Sequence, residues 1–542
     1  MPKPYYDISQ TPYDRESLIP REDDPTSFDH LYPRKEVVDS LENRLQSLEQ
    51  GIYPVQRYGA VGDGSVSDEG PAIQNAIDAA ADAGGGTVFI PEGTYNLQTT
   101  LYIRSGVRML MAKGAMLRRN SPSLEVMICP SGDHSSYSGA SDWSVEGGTI
   151  DASSSYGTAC LPIGLSHGEG VVVRDVHIRN VYGRPAIWIN AMKRVRIQNV
   201  SCTGYTPDEG VSEYYAVFLS AATPDDTNVG HYPFSGNWDN TPCEDVLVEG
   251  CFVEGWQGGV GGESCATGVY HRNIRVVNNL LQDIKFCGVK LGSFQGVTVS
   301  HNELYVVGMG IEINPGGVAG QENNSRSAVV MGNVIRGMSN ATYGYGIWVN
   351  EKGGKYVENS VVAGNVIDGM LQSGIYVQGS PFNSIVNNYV IEPSERGIYI
   401  NGSSNCEIQG NTVRSAGHMG ISLVNSSYCS VTGNYVTRCA GYAIDLSGST
   451  HCLISSNMTY DNRLNSGIAS SDAEIAAYSN ADYCAFLNNV TRSPSNTTGI
   501  DMTSSIDNAY LNGNDCRYGA SGTKAAIVGG TGTDKTSANY AG

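Results

Sequence analysis

The residues of this chain that could do chemistry together recur at one place in a repeated short segment: Trp188, Phe218, Gly261, Lys290, Glu312, Trp348, Tyr376, Tyr399, Ser422 and Asp445. Each sits between apolar neighbours such as Ile398 and Ile400, or Ile421 and Leu423. In an extended strand alternate side chains point to opposite faces, so these ten point outward when their neighbours point inward. Five are aromatic, and rings with apolar faces and polar edges suit the two-sided character of a pyranose. A cation and a carboxylate, Lys290 and Glu312, occupy adjacent positions in the middle. The same aromatics could instead form a contact surface between copies of the chain.

Two reactions fit such a set. Hydrolysis of a glycosidic bond needs two carboxylates, about 5–5.5 Å apart for retention or about 6.5–9.5 Å for inversion. Glu312 supplies one; Glu263, Glu351, or an acid of the 220–244 segment such as Asp225, Asp226 or Asp239 are candidates for the other. β-Elimination needs a base for the proton beside a sugar carboxylate and a cation for the enolate. Lys290 with His271 or a tyrosine of the series could supply those. Long insertions follow these strands at 220–244 (His231, Tyr232, Phe234, Trp238), 262–272, 314–327 and 350–359, and would wall one edge of a groove.

The elements that must position these residues follow from self-similarity. Segments of the form Gly-Ile-x-Ile begin at Gly288, Gly310, Gly346, Gly374, Gly397 and Gly420, and in degenerate form at Ala443. Each is followed by a second strand opened by an asparagine: Asn279, Asn302, Asn333, Asn365, Asn388, Asn411, Asn434, Asn457, Asn489 and Asn514. From Asn365 to Asn457 every step is 23 residues. Short strands at that period, with no helical spacing between them, predict one turn of a parallel β-helix per repeat. An asparagine at one turn of every rung tolerates a left-handed backbone, and its amide can hydrogen-bond along the stack.

With 34 basic against 54 acidic residues the net charge is −20, so a phosphate backbone would be repelled and nucleic acid is not an expected partner. No stretch reaches the roughly 18 apolar residues of a membrane span, and the first residues lack the apolar region of an export signal. Sixty-six glycines and few charges suit short strands and tight turns. The 13 cysteines are odd in number, and Cys406, Cys429 and Cys452 recur every 23 residues, with Cys484 in the same local pattern. That spacing predicts small buried hydrophobes, one per rung, in the reduced state; disulfides are the alternative, because neighbouring rungs lie about 4.8 Å apart.

Upstream, Tyr58-Gly59-Ala60-Val61-Gly62-Asp63-Gly64, then Ala72 to Ile77, then Gly84 to Tyr95 resemble the opening segment of the pectate-lyase-like superfamily, which includes phage tailspikes and capsule depolymerases. The resemblance covers about 40 residues tightly and, through the rungs, extends loosely to about residue 520. It implies an all-β, right-handed parallel β-helix over 54–525, with an amphipathic helix (Ile73, Ala76, Ile77, Ala80) capping the first rung. It leaves 526–542 as a tail. Residues 1–36 read as an irregular virion-attachment arm, and Val38, Leu41, Leu45, Leu48 and Ile52, spaced by threes and fours, as a helix or short trimeric coiled coil over 37–53. The implied activity is that of a tailspike that binds a host surface polysaccharide and depolymerises it by hydrolysis or β-elimination; the alternatives are a spike that binds without cleavage and a structural tail appendage. The implied setting is a homotrimer on the virion tail, joined to a tail or baseplate protein through the N-terminus. No Asp-rich calcium cluster and no paired-Asp polygalacturonase signature is present, so neither metal nor cofactor is expected. Asp151, in Glu146-Gly147-Gly148-Thr149-Ile150-Asp151, is expected to cap a turn.

Overall fold

The computed structural model describes residues 51–542 apart from 133, 209–213, 224–236, 263–264, 318–321, 338–343, 466, 468–472, 493–497, 503–505, 507, 517–525, 529–534 and 538–542. The arm and most of the 37–53 segment therefore lie outside the described residues. From Tyr53 onward the chain winds as a right-handed parallel β-helix of three sheets. Sheet I holds the Gly-Ile-x-Ile strands, sheet II the strands that follow them, and sheet III the strands opened by the asparagines. The register is the one that the spacing predicts: Lys290 pairs with Glu312, Glu312 with Trp348, Trp348 with Tyr376, and Tyr376 with Tyr399.

Inward residues of the three sheets form one continuous core, in which Ile398, Ile400, Ile421 and Leu423 are fully buried. The turn before sheet III is held by the asparagines. Asn365 Nδ2 donates to Asn388 Oδ1 at 2.9 Å, Asn388 to Asn411 at 2.9 Å, Asn411 to Asn434 at 3.0 Å and Asn434 to Asn457 at 3.0 Å. Each Oδ1 also accepts the backbone N–H of the asparagine one rung earlier. The ladder runs in both directions, from Asn279 to Asn514. A buried amide whose donor and acceptor atoms are all engaged costs nothing in unmet hydrogen bonds and fixes the rung register.

The helix Gly70–Asp82 caps the first rung with Ile73, Ala76, Ile77 and Ala80 buried. Glu69, just before it, accepts the Val61 and Gly62 N–H groups at 2.7 and 2.8 Å, which ties the glycine-rich loop to the cap. Asp151 caps a turn as expected: it accepts the Ser153 N–H at 2.9 Å and the Arg179 guanidinium at 2.9 Å. All 13 cysteines are free and buried. Burial pushes the Cys439 thiol up to about 12. The end of the chain differs from expectation. Ala526–Val528 pairs with Thr498–Met502, and Lys535–Ser537 with Tyr510–Asn512, so part of the expected tail continues sheets I and II. Serine-, threonine- and glycine-rich sequence conceals those strands, because it carries no apolar alternation.

Candidate functional site

Three columns of side chains run along the outer face of sheet I. The middle column is the series beginning at Trp188. Two residues beyond it in each strand, Asn314, Asn350, Gln378 and Asn401 form a column of amides. Three residues before it, Tyr215, Cys287, Met309 and Tyr345 form a mostly apolar column. Between them, over Glu312, lies a cleft of about 460 Å³ lined by Phe286, Lys290, Met309, Glu312, Asn314, Tyr345, Trp348, Asn350 and Lys352.

Glu312 lies at the centre of this cleft and is 5% exposed. Its Oε1 accepts the amides of Asn314 and Asn350, each at 3.2 Å, and Lys290 Nζ stands 4.0 Å from its Oε2. A carboxylate this deep is tolerated because cation and amides compensate its desolvation. Tyr345 contributes a phenol that burial pushes up to about 12, so it stays protonated and can donate a hydrogen bond. Among the described residues that line the cleft, Glu312 is the one carboxylate, and Lys290 and Lys352 are the cations. A hydrolytic pair is therefore not assembled from them. One carboxylate with two ammonium groups and a protonated phenol can instead take a proton from the carbon beside a sugar carboxylate and neutralise the charge that develops.

The aromatic residues differ from expectation in what they present. Trp348 and Tyr376 stack at 6.0 Å and 8° from parallel, and Tyr376 and Tyr399 at 4.8 Å and 6°. Arg396 lies 4.2 Å over the Tyr399 ring. The rings thus occupy one another's faces, and Tyr376 is 7% exposed. The face of Trp348 away from Tyr376 looks toward the Glu312 rung and the cleft. Of the aromatic faces expected to meet a ligand, this one opens on the charged centre.

Trp188 is not a surface residue: it is 1% exposed, its Nε1 donates to Ser220 Oγ at 2.8 Å, and Phe218 lies edge-on at 5.3 Å. Half-buried Phe218 also stacks with Tyr215 at 6.3 Å. The gap at Gly261 is filled by Tyr215, whose ring lies where a Cβ on Gly258 or Gly261 would fall. His271 is corrected too. It opens a sheet II strand, is 2% exposed, and its Nδ1 accepts the Cys243 N–H at 3.0 Å. Burial pushes this imidazole down to about 4, and, buried with its Nδ1 occupied and outside the cleft lining, it is a structural group rather than a base over Lys290.

Glu351 turns away from the cleft and accepts the Gly354 N–H at 2.7 Å, while its neighbour Lys352 lines the cleft. Asp239 accepts the Ser136 and Thr241 N–H groups at 2.6 and 3.0 Å and so braces a loop. Trp238 is exposed and does not line the cleft. Glu263, His231, Asp225 and Asp226 lie outside the described residues. The amides and Tyr345 escaped the sequence reading. Their signal was present as a second and a third aligned column, two residues after and three before the first.

The fold is a right-handed parallel β-helix. Residues 52–113 match the family described as rhamnogalacturonase A/epimerase, pectate lyase-like, and residues 295–515 match periplasmic copper-binding protein (NosD). Among the described residues, no group of three or more His, Cys, Asp or Glu side chains is placed to hold a metal ion. The plasmin and fibronectin-binding protein A of Streptococcus pneumoniae is 27% identical over 295 residues, 49% of this chain and 41% of its own length. The mannuronan C5-epimerase AlgE1 of Azotobacter vinelandii is 30% identical over 175 residues, 30% of this chain and 11% of its own. The chain thus spans less than half the length of these curated relatives. A tailspike protein variant of E. coli bacteriophage HK620, solved in complex with a hexasaccharide, shares the fold with a TM-score of 0.55 and 12% identity, over 86% of this chain and 81% of that one. No helix among the described residues is long and apolar enough to cross a membrane.

Proposed function

We propose that this protein is a tailspike-type receptor-binding protein that holds an acidic host surface polysaccharide along sheet I and cleaves it over Glu312 by β-elimination. The observation that carries this reading is the cleft itself: one buried carboxylate, two ammonium groups and two amides beside the open face of Trp348. The relatives that act on mannuronan and the oligosaccharide-bound tailspike support a glycan as ligand. In this reading Glu312 takes the proton beside the sugar carboxylate, Lys290 and Lys352 hold that carboxylate as charge develops, and Tyr345 donates toward the departing oxygen.

A screen of host capsule and wall polysaccharides tests it. β-Elimination yields shortened chains with new unsaturated, ultraviolet-absorbing ends; hydrolysis yields new reducing ends without that absorbance. Binding without shortening would mark a non-catalytic spike. Trp348→Ala should weaken binding by roughly 1–2 kcal/mol, or about 5–30-fold in Kd, as measured by titration with the polysaccharide that binds best. Unchanged affinity would move the ligand off this face.

The tailspike reading also proposes a homotrimer joined partly through the 37–53 segment, with residues 1–36 as the attachment arm to a tail or baseplate protein. The heptad-like spacing of Val38, Leu41, Leu45, Leu48 and Ile52 motivates it. The full chain should sediment as a trimer, and a stable monomer would contradict the proposal.

A further inference from the structure

The corner that carries the chain from sheet I to sheet II contains two left-handed positions in every regular rung. The first is filled by residues suited to that backbone: Gly379, Gly402, Asn425, Gly448 and Ser479, with φ between 49° and 61°. The second is filled by Phe382, Asn405, Tyr428, His451 and Tyr483, with φ of 59°, 58°, 59°, 57° and 58°. A left-handed backbone brings the Cβ of a residue too close to its own carbonyl oxygen, which glycine avoids. Asparagine tolerates it; phenylalanine and tyrosine do not. Three bulky rings, Phe382, Tyr428 and Tyr483, held at a strained position point to a use for them at that position.

Their side chains stand out of the corner: Phe382 is 51% exposed, Tyr428 60% and Tyr483 55%. Tyr428 stacks on His451 at 4.8 Å and 21°, and His451 on Tyr483 at 4.9 Å and 15°. The stack is interrupted on its other side. Between Tyr428 and Phe382 stands the rung of Asn405, whose side chain is too small to continue it. Phe382 N–H bonds to Ser404, Asn405 N–H to Ser427, and Tyr428 N–H to Thr450, at 3.1, 3.0 and 2.9 Å, so the corner stays in register across the gap. With a rung spacing of about 4.8 Å, the two ring positions are about 9.6 Å apart. The slot between them has aromatic walls and the exposed amide of Asn405 as its floor.

We propose that this slot is a carbohydrate subsite that takes one pyranose ring between Phe382 and Tyr428. A planar aromatic ligand would need about 3.5 Å on each side and leave the slot loose. A puckered pyranose, thickened by its axial hydrogens, reaches both walls at about 4.8 Å from each ring centre. Its hydroxyl rim meets the Asn405 amide, which both donates and accepts. The slot is continuous with sheet I: Asn401, in the amide column beside the groove, is four residues before Asn405 in the same rung. A chain leaving the groove over this edge would place a branch or a terminal residue in the slot.

The test uses the full chain and six probes, the methyl pyranosides of glucose, galactose, mannose, N-acetylglucosamine, rhamnose and glucuronate, by saturation-transfer difference NMR. Trp348→Ala weakens the contribution of the cleft. In that background at least one probe should still give a signal, and adding Phe382→Asn or Tyr428→Asn should reduce it about tenfold. Asparagine suits the left-handed backbone, so these variants should unfold at the same temperature as the parent or higher. A Trp348→Ala protein silent toward all six probes overturns the subsite and leaves the groove standing. A signal that both asparagine variants leave unchanged overturns it as well. A lowered unfolding temperature with unchanged signal would make the ladder a brace of the corner, and a changed sedimentation with unchanged signal would make it a contact between copies. Signals of the parent protein that Trp348→Ala leaves undiminished for every probe, and that the slot variants abolish, would instead remove the groove and keep the slot.

Discussion

Glu312→Gln should lower turnover by on the order of 10²–10⁴ on a polysaccharide that the protein shortens, with affinity changed by less than about threefold. The substitution keeps the side-chain shape, and its amide oxygen can still accept from Asn314 and Asn350, which hold Oε1 at 3.2 Å. It removes the only group lining the cleft, among the described residues, that can accept a proton from carbon. The stacked wall at Trp348, and with it most of the binding contact, is untouched. Initial rates and equilibrium binding measured on the same substrate separate the two effects. Full activity in the variant would place the reacting bond elsewhere, with the 220–244 segment as the next place to look.

Asn411→Ala should destabilise the β-helix by about 3–5 kcal/mol. Four hydrogen bonds meet at this amide: it accepts the N–H and Nδ2 of Asn388, both at 2.9 Å, and donates to the Ile385 carbonyl at 2.8 Å and to Asn434 at 3.0 Å. Truncation removes the partner of the Asn388 N–H, of one Asn388 Nδ2 hydrogen and of the Ile385 carbonyl, while Asn434 Oδ1 keeps the Asn411 N–H, and the site is closed to bulk water. Gln409→Ala, exposed on the neighbouring strand, should cost less than about 0.5 kcal/mol. Urea unfolding of both variants measures the difference, and a loss under about 1 kcal/mol for Asn411→Ala would mean that the ladder follows the register rather than fixing it.

The ladder and the register were legible because both are periodic. Each copy of Gly-Ile-x-Ile repeats the same inward and outward alternation, so a step of 22 residues places Glu312 beside Lys290, and one of 23 places Tyr399 beside Tyr376, without reference to anything distant. What lies on top of an outward residue is not periodic. Trp188 points outward as its strand requires, yet it is covered, and its burial depends on Val126, Cys129 and Leu161, contributed by other rungs. Tyr215 lying over Gly258 and Gly261 is of the same kind. The ring faces were misjudged for a simpler reason: aromatic residues one rung apart are close enough to stack on each other, which leaves edges for a ligand except where the column ends at Trp348. His271 shows the limit of loop reasoning, since a histidine at the end of an insertion turned out to be the first residue of a strand, facing inward.

The most direct test is a crystal structure of the Glu312→Gln protein with an oligosaccharide cut from the polysaccharide that the parent protein binds. The sugar chain should lie along the outer face of sheet I, with one ring against the face of Trp348 opposite Tyr376 and a sugar carboxylate between Lys290 and Lys352. An oligosaccharide bound on sheet II or sheet III, with the Glu312 cleft empty, would contradict the account.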